Sequence, residues 1–162
     1  MKPIKQVFCA AILSVSATGD AAVAGPTLCT SAESVIFSCS TAKSRIIALC
    51  QDKRSEAITY RFGRPGKIEL RYSAKQGEGF LYNHYFRAQV DYTRISFVKD
   101  GYEYSVFGNY DGSQSPVTDY GVAVSTDGED ETQIECRSHV VDNMSKVIKH
   151  LKCDENNALG CS

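Results

Sequence analysis

Between residues 34 and 137, apolar and polar side chains alternate in short runs broken by turn-forming residues, which is the period of half-buried β-strands. Val35 and Phe37 alternate with small or polar neighbours. After a polar break over 40–44, Arg45-Ile46-Ile47-Ala48-Leu49 follows, and the two runs read as a β-hairpin. Ile58-Thr59-Tyr60-Arg61-Phe62 and Ile68-Glu69-Leu70-Arg71-Tyr72 alternate across Gly63-Arg64-Pro65-Gly66, where glycine and proline supply the dihedrals of a turn. Residues 73–83, polar and glycine-containing, read as a loop. Arg94-Ile95-Ser96-Phe97-Val98 and Tyr102-Glu103-Tyr104-Ser105-Val106 flank Lys99-Asp100-Gly101, and Asp-Gly between alternating runs is a strong hairpin signal. Residues 117–125 and 132–136 make a last pair around Thr126-Asp127-Gly128. The pattern predicts a mainly β fold, an antiparallel sandwich or barrel of about eight short strands.

The period then changes. Val140, Val141, Met144, Val147, Ile148 and Leu151 recur at helical spacing, predicting one C-terminal α-helix over 139–152 with Ser138 as N-cap. Lys149, His150 and Lys152 would sit in its last turn, where positive charge suits the helix dipole. At the other end, Lys2 and Lys5 precede an apolar or small-residue run from Val7 to Ala17, and Ala22-Val23-Ala24 ends a small-residue stretch. This is the layout of a signal peptide over 1–24 with cleavage before Gly25, and the apolar run is shorter than the roughly 20 residues a membrane span requires. Residues 25–162 then form a single domain, divided into a β core (34–137), the helix (139–152) and a cysteine-containing tail (153–162). The chain is expected to be exported, to the periplasm or outside the cell, without membrane insertion.

Charge adds a negative result. The formal net charge is −1 and the basic residues are scattered, so nothing in the balance favours nucleic acid as a partner. Cysteine usage says more. Cys29, Cys39, Cys50, Cys136, Cys153 and Cys161 follow the leader, and an even number behind a signal peptide reads as a disulfide framework with 15 possible pairings. No pair has metal-ligand or redox spacing. In the first hairpin Cys39 would lie opposite about Arg45 and Cys50 opposite about Ser34. Five residues at roughly 3.3 Å each would hold those two about 16 Å apart, beyond the ~7 Å limit for bonded Cα atoms. The expected pairing is therefore Cys29–Cys50, Cys39–Cys136 and Cys153–Cys161, with Cys136–Cys153 as the rival to the latter two.

The runs Val35-Ile36-Phe37-Ser38-Cys39, Ile46 to Cys50, and Tyr60-Arg61-Phe62-Gly63 with Gly66 and Ile68-Glu69-Leu70 carry a resemblance, together with Gly101-Tyr102-Glu103-Tyr104-Ser105-Val106. They resemble a family of small exported bacterial β-rich proteins of unknown function, with an F-S-C strand, a second cysteine strand and a Y-x-F-G turn. The resemblance spans roughly 33–136, implies structural rather than catalytic residues, and stops before the extension that bears Cys153 and Cys161. In layout the chain is also similar to periplasmic lysozyme inhibitors, although their inhibitory Ser-Gly-x-Tyr-like loop has no counterpart here.

Candidate chemistry is sparse. There is no G-x-S-x-G elbow beside His84, His139 or His150, and the cysteines are committed to disulfides. Asp127-Gly128-Glu129-Asp130-Glu131 concentrates acids in a turn but lacks calcium-loop spacing. No cofactor, metal or catalytic set is predicted. The residual feature is aromatic: Phe80, Tyr82, His84, Tyr85 and Phe86 crowd together with Arg87 beside a polar loop, and Tyr110 and Tyr120 flank a second one over 111–118. Tyrosine offers a broad apolar face and a polar tip, suited to contact surfaces, although the same alternation also suits a core without tryptophan. The expected function is an exported non-catalytic binding protein of the bacterial envelope, an inhibitor or interaction module. It would act through the 73–87 and 108–120 loops, with Tyr82, His84, Tyr85, Arg87, Tyr110 and Tyr120 as contact residues and an envelope protein or a glycan as partner. The alternatives are a small secreted hydrolase using carboxylates or His84, and a structural envelope component.

Overall fold

A computed structural model describes residues 25–75, 78–113, 117–126 and 131–162. The signal-peptide reading over 1–24 and the acidic turn at 127–130 lie outside the described residues. Ten strands form one sheet: β1 (Glu33–Thr41), β2 (Ile46–Asp52), β3 (Ile58–Arg64), β4 (Lys67–Ala74), β5 (Leu81–Arg87), β6 (Val90–Lys99), β7 (Tyr102–Asp111), β8 (Val117–Ser125), β9 (Thr132–Asp142) and β10 (Lys152–Cys153). The spatial order is β10-β5-β6-β7-β8-β9-β1-β2-β3-β4, antiparallel throughout except for the short parallel β10–β5 pair. Two meanders, β1–β4 and β5–β9, are thus joined along the β9–β1 seam.

The sheet cannot be flat. Eight strand spacings of about 4.8 Å would put β4 about 38 Å from β5. Only residues 75–80 connect Ala74 to Leu81, a reach of at most ~25 Å. The sheet therefore curls into a half-barrel, and the aromatic core records the closure. Tyr72 on β4 stacks on Phe97 of β6 at 4.5 Å between ring centroids, while Tyr60, Phe80 and Tyr104 lie 4.9, 5.3 and 5.1 Å from the same Phe97 ring. Around them Ile36, Phe37, Ile47, Leu49, Ile58, Ile95, Val106 and Val122 are buried in one cluster. Each fully buried aliphatic or aromatic side chain contributes about 1.5–3 kcal/mol of transfer free energy.

The mainly β expectation holds, as one curled sheet rather than two stacked ones. Asp100-Gly101 forms the predicted tight hairpin, with φ of 54° and 80°, the left-handed pair a type I′ turn needs. Two boundaries differ. Residues 81–87, read as loop and its margin, are strand β5, because Phe80, Tyr82 and the residues beyond them alternate between the sheet faces. The C-terminal helical segment is also shorter than predicted. β9 runs on to Asp142, through a positive φ of 54° at His139, and only Met144–Lys146 and Ile148–His150 are helical, each a single 3-10 turn. Met144, Val147 and Leu151 still bury their side chains against the core, so the apolar spacing marked the right residues but the wrong regular structure.

The second face of β2 is also covered. Ile46, Ala48 and Cys50 pack against Leu28 and Cys29 of the segment leading into β1. Arg61 fixes that segment with a two-pronged bond to Glu33, at 2.9 and 2.8 Å, and a further bond to the Leu28 carbonyl at 3.3 Å. Three disulfides close the fold: Cys29–Cys50, Cys39–Cys136 and Cys153–Cys161. The hairpin register places Cys39 opposite Ile47, because the turn is centred one residue later than expected, and a bulge between Val35 and Phe37 then brings Cys50 opposite Val35. The separation that forbids Cys39–Cys50 survives the shift. Three disulfides imply folding in an oxidising environment. Among the described residues no helix is long and apolar enough to cross a membrane.

Candidate functional site

The strand period that builds the core also builds the site. Ile95 and Phe97 point inward from β6, Val106 from β7 and Val122 from β8. The same inward rows continue, two residues at a time, to Thr93 and Asp91 on β6, Gly108 and Tyr110 on β7, and Tyr120 and Thr118 on β8. At this end of the half-barrel the apolar core gives way to polar side chains. With Asp142 at the end of β9 and Ser145 in the first 3-10 turn, they line a cleft of about 280 Å³. Gly108 leaves room in it: a Cβ there would lie 3.0 Å from the Tyr120 ring and 3.2 Å from Asp142 Oδ2.

Two carboxylates face this space. The backbone N–H of Met144 donates to Asp142 Oδ1 at 2.9 Å. Asp142 as a residue is exposed, yet its carboxyl is held above the ordinary aspartate value, chiefly by partial desolvation and also by the charge of Asp91, with the Met144 N–H acting the other way. Tyr120 is likewise pushed up, first by burial and then by the charge of Asp142. Asp91 Oδ1 lies 3.0 Å from His84 Nε2. The other ring nitrogen of His84 is 2.6 Å from the backbone oxygen of Ser162. Both ring nitrogens of His84 are thus engaged by oxygens of the protein itself, and the ring is not part of the cleft lining. Among the described residues, neither carboxylate has a lysine or arginine partner.

No family model, curated protein or solved structure matches the chain. The site therefore stands on its geometry alone.

The six residues predicted as contacts divide three ways. Tyr110 and Tyr120 line the cleft, and His84 buttresses it through Asp91. Tyr82 packs against the core. Tyr85 and Arg87 lie on the opposite face of β5, with the Arg87 guanidinium 5.0 Å from the centre of the Tyr85 ring and Tyr92 beside it. The two loops expected to present these residues are largely strand: β5 takes 81–87, β7 runs to Asp111 and β8 starts at Val117. Asp91, Thr93, Gly108, Thr118, Asp142 and Ser145 were not anticipated. Their signal was the phase of the alternation, since each strand residue among β6–β8 lies an even number of places from an apolar core position.

A larger hollow of about 510 Å³ lies near the other end of β9, between the β1–β2 turn, Phe62, Glu69 and residues 133–137. Its arginines are already matched: Arg45 binds Glu69 at 2.8 Å and lies over the Phe62 ring, and Arg137 meets Glu135 at 3.1 Å. Of the two hollows, the smaller one holds a carboxylate, Asp142, that has no basic partner among the described residues. That distinction decides between them.

Proposed function

We propose that the protein is an exported, non-catalytic binding protein of the bacterial envelope, and that the cleft beneath Tyr110 and Tyr120 receives its ligand. One observation carries the reading: a concave polar site in which Asp142 is kept partly desolvated beside Asp91 and, among the described residues, has no basic partner of its own. Such an arrangement costs stability, and groups perturbed in this way concentrate at functional sites. The three disulfides support export, as does the resemblance to small exported β-rich proteins.

The test is retention. The exported protein is immobilised in its wild-type form and as Tyr110→Ala, a change at a residue 38 % exposed that should leave folding intact. A component of the producing cell's envelope extract should be retained by the wild type and lost from the variant. Equal retention by both, or retention by neither, removes the cleft as the binding surface.

A second reading, a small hydrolase, has one observation in its favour: Asp142, pushed up, faces Asp91, which is paired with His84, and carboxyls driven apart in this way can divide into acid and base. It stands lower because both ring nitrogens of His84 are engaged by the protein itself and the described cysteines are all disulfide-bonded. Turnover of envelope glycan that is abolished by both Asp91→Asn and Asp142→Asn would reverse the order.

A further inference from the structure

We infer that the cleft selects an organic cation, an ammonium or guanidinium group carried on a ligand of side-chain size. The inference rests on the reading of the cleft as the binding surface and names what that surface takes.

The lining carries the argument. Among the described residues, every polar side-chain atom lining the cleft is an oxygen: two carboxylates and the hydroxyls of threonine, tyrosine and serine, with no lysine, arginine, histidine or amide. Carboxylates only accept hydrogen bonds, and ammonium and guanidinium groups only donate them. Charge narrows the choice further. Any occupant displaces water from Asp91 and Asp142 and raises the cost of keeping them ionised, unless it brings positive charge of its own. An anion would meet two carboxylates. A neutral sugar could bond to the hydroxyls but would leave the desolvated Asp142 uncompensated. A cation offsets the charge of Asp142 and reaches Asp91 beside its His84 contact, and Tyr110 and Tyr120 add aromatic surface to the same lining. Asp142 stands above its ordinary titration value because it is partly desolvated and faces the charge of Asp91, and a cation in the cleft would offset both. A bare metal ion fits less well. Calcium takes six to eight oxygens, and among the described residues no three histidine, cysteine or carboxylate side chains come close enough to share an ion. The cleft, about 280 Å³, has room for the end of a basic side chain or of a polyamine.

The experiment is NMR titration of the exported, disulfide-bonded protein, following the backbone amides of Thr93, Gly108 and Tyr120. The probes are N-acetyl-lysine methylamide and N-acetyl-arginine methylamide for a partner protein's basic side chain, spermidine for a free polyamine, and maltotriose as the neutral, hydroxyl-rich control. The basic probes should shift these amides saturably, with affinity falling as salt rises. Asp142→Asn, which keeps an oxygen to accept the Met144 N–H, should weaken them roughly tenfold or more, the loss expected for a charge-assisted hydrogen bond. Thr118→Lys, at an exposed cleft residue, should abolish binding by supplying an internal ammonium. Tighter binding of spermidine than of either amide would assign the ligand to the polyamines, and the reverse to a protein's lysine or arginine. Shifts with maltotriose and none with the basic probes would overturn the cation and leave the cleft as the binding surface. Silence from every probe, together with equal retention of envelope components by wild type and Tyr110→Ala, would remove both.

Discussion

The Cys39–Cys136 bridge should be worth more than either of the other two, and the reason is topological. It spans the β9–β1 seam, where the two meanders meet and where the register slips twice, between Ser38 and Ser40 and again between Ser40 and Thr41. Pairing there is the least regular in the sheet, so covalent closure has the most to contribute. The chain-entropy relation gives a scale: bridges with sequence separations of 97, 21 and 8 residues should stabilise the native state by about 4.7, 3.4 and 2.6 kcal/mol respectively. Burial works in the same direction, since Cys39 and Cys50 are fully buried whereas Cys153 and Cys161 are not. Three double-alanine variants, each lacking one bridge, should be compared by thermal unfolding at neutral pH with the remaining bridges intact. Loss of Cys39–Cys136 should lower the melting temperature by roughly 15 °C, at about 3–4 °C per kcal/mol for a domain of this size. Loss of Cys153–Cys161 should cost about half as much. A Cys153–Cys161 variant less stable than the Cys39–Cys136 variant would refute the view that the seam is the weak line of the sheet.

Two further outcomes follow from the placement of single side chains. Tyr82→Ala, truncating a half-buried ring against the core, should cost about 2–3 kcal/mol in chemical denaturation, whereas Tyr85→Ala on the opposite face should cost about 1 kcal/mol or less. Equal losses would mean that the faces of β5 are misassigned. Asp142→Asn should raise the urea midpoint at pH 7. The folded protein holds the Asp142 proton more tightly than the unfolded chain does, so this carboxyl's contribution is fully present below the ordinary aspartate value of about 3.9 and is lost as pH rises through the raised folded value. The variant's advantage should therefore shrink as pH falls towards 3.9, and an advantage that grew on acidification would contradict the assignment.

How much of this was readable in advance depends on the range over which each feature is encoded. Hairpins are local: Asp100-Gly101 between two alternating runs needs no knowledge of the rest of the chain, and it forms the turn its dihedral preferences dictate. The Cys29–Cys50 link was legible because a hairpin fixes distances that forbid Cys39–Cys50, whereas the hairpin alone left Cys39 to Cys136 or the tail. The C-terminal segment was misread because a helical recurrence of apolar residues is also met by a strand end followed by two 3-10 turns, provided that Met144, Val147 and Leu151 reach the same core. Strand β5 was missed for a different reason. Asn83, which looks like a loop residue, is buried because its side-chain amide donates to the carbonyls of Asp154 and Gly160, in a tail more than seventy residues away.

The site sits between these cases. No single segment announces it, since Asp91, Tyr120 and Asp142 come from three strands with nothing unusual in their own neighbourhoods. Once β6, β7 and β8 are paired, however, the period of two leaves no freedom: if Ile95, Val106 and Val122 face the core, then Asp91, Tyr110 and Tyr120 must face the same side farther along. What the alternation could not supply is how far each strand extends and which ends coincide. The registers Asp91 with Tyr110 and Gly108 with Tyr120 settle this. Polar residues on an inward row, beyond the last apolar one, are hard to explain as packing, because a sheet that needed only to close would cover that end with apolar side chains or let its strands stop short. β6 and β7 instead run ten residues each, carrying carboxylate and hydroxyl groups past the core on its own face. The extra length buries little apolar surface, and what it gains is a concave, acceptor-rich wall.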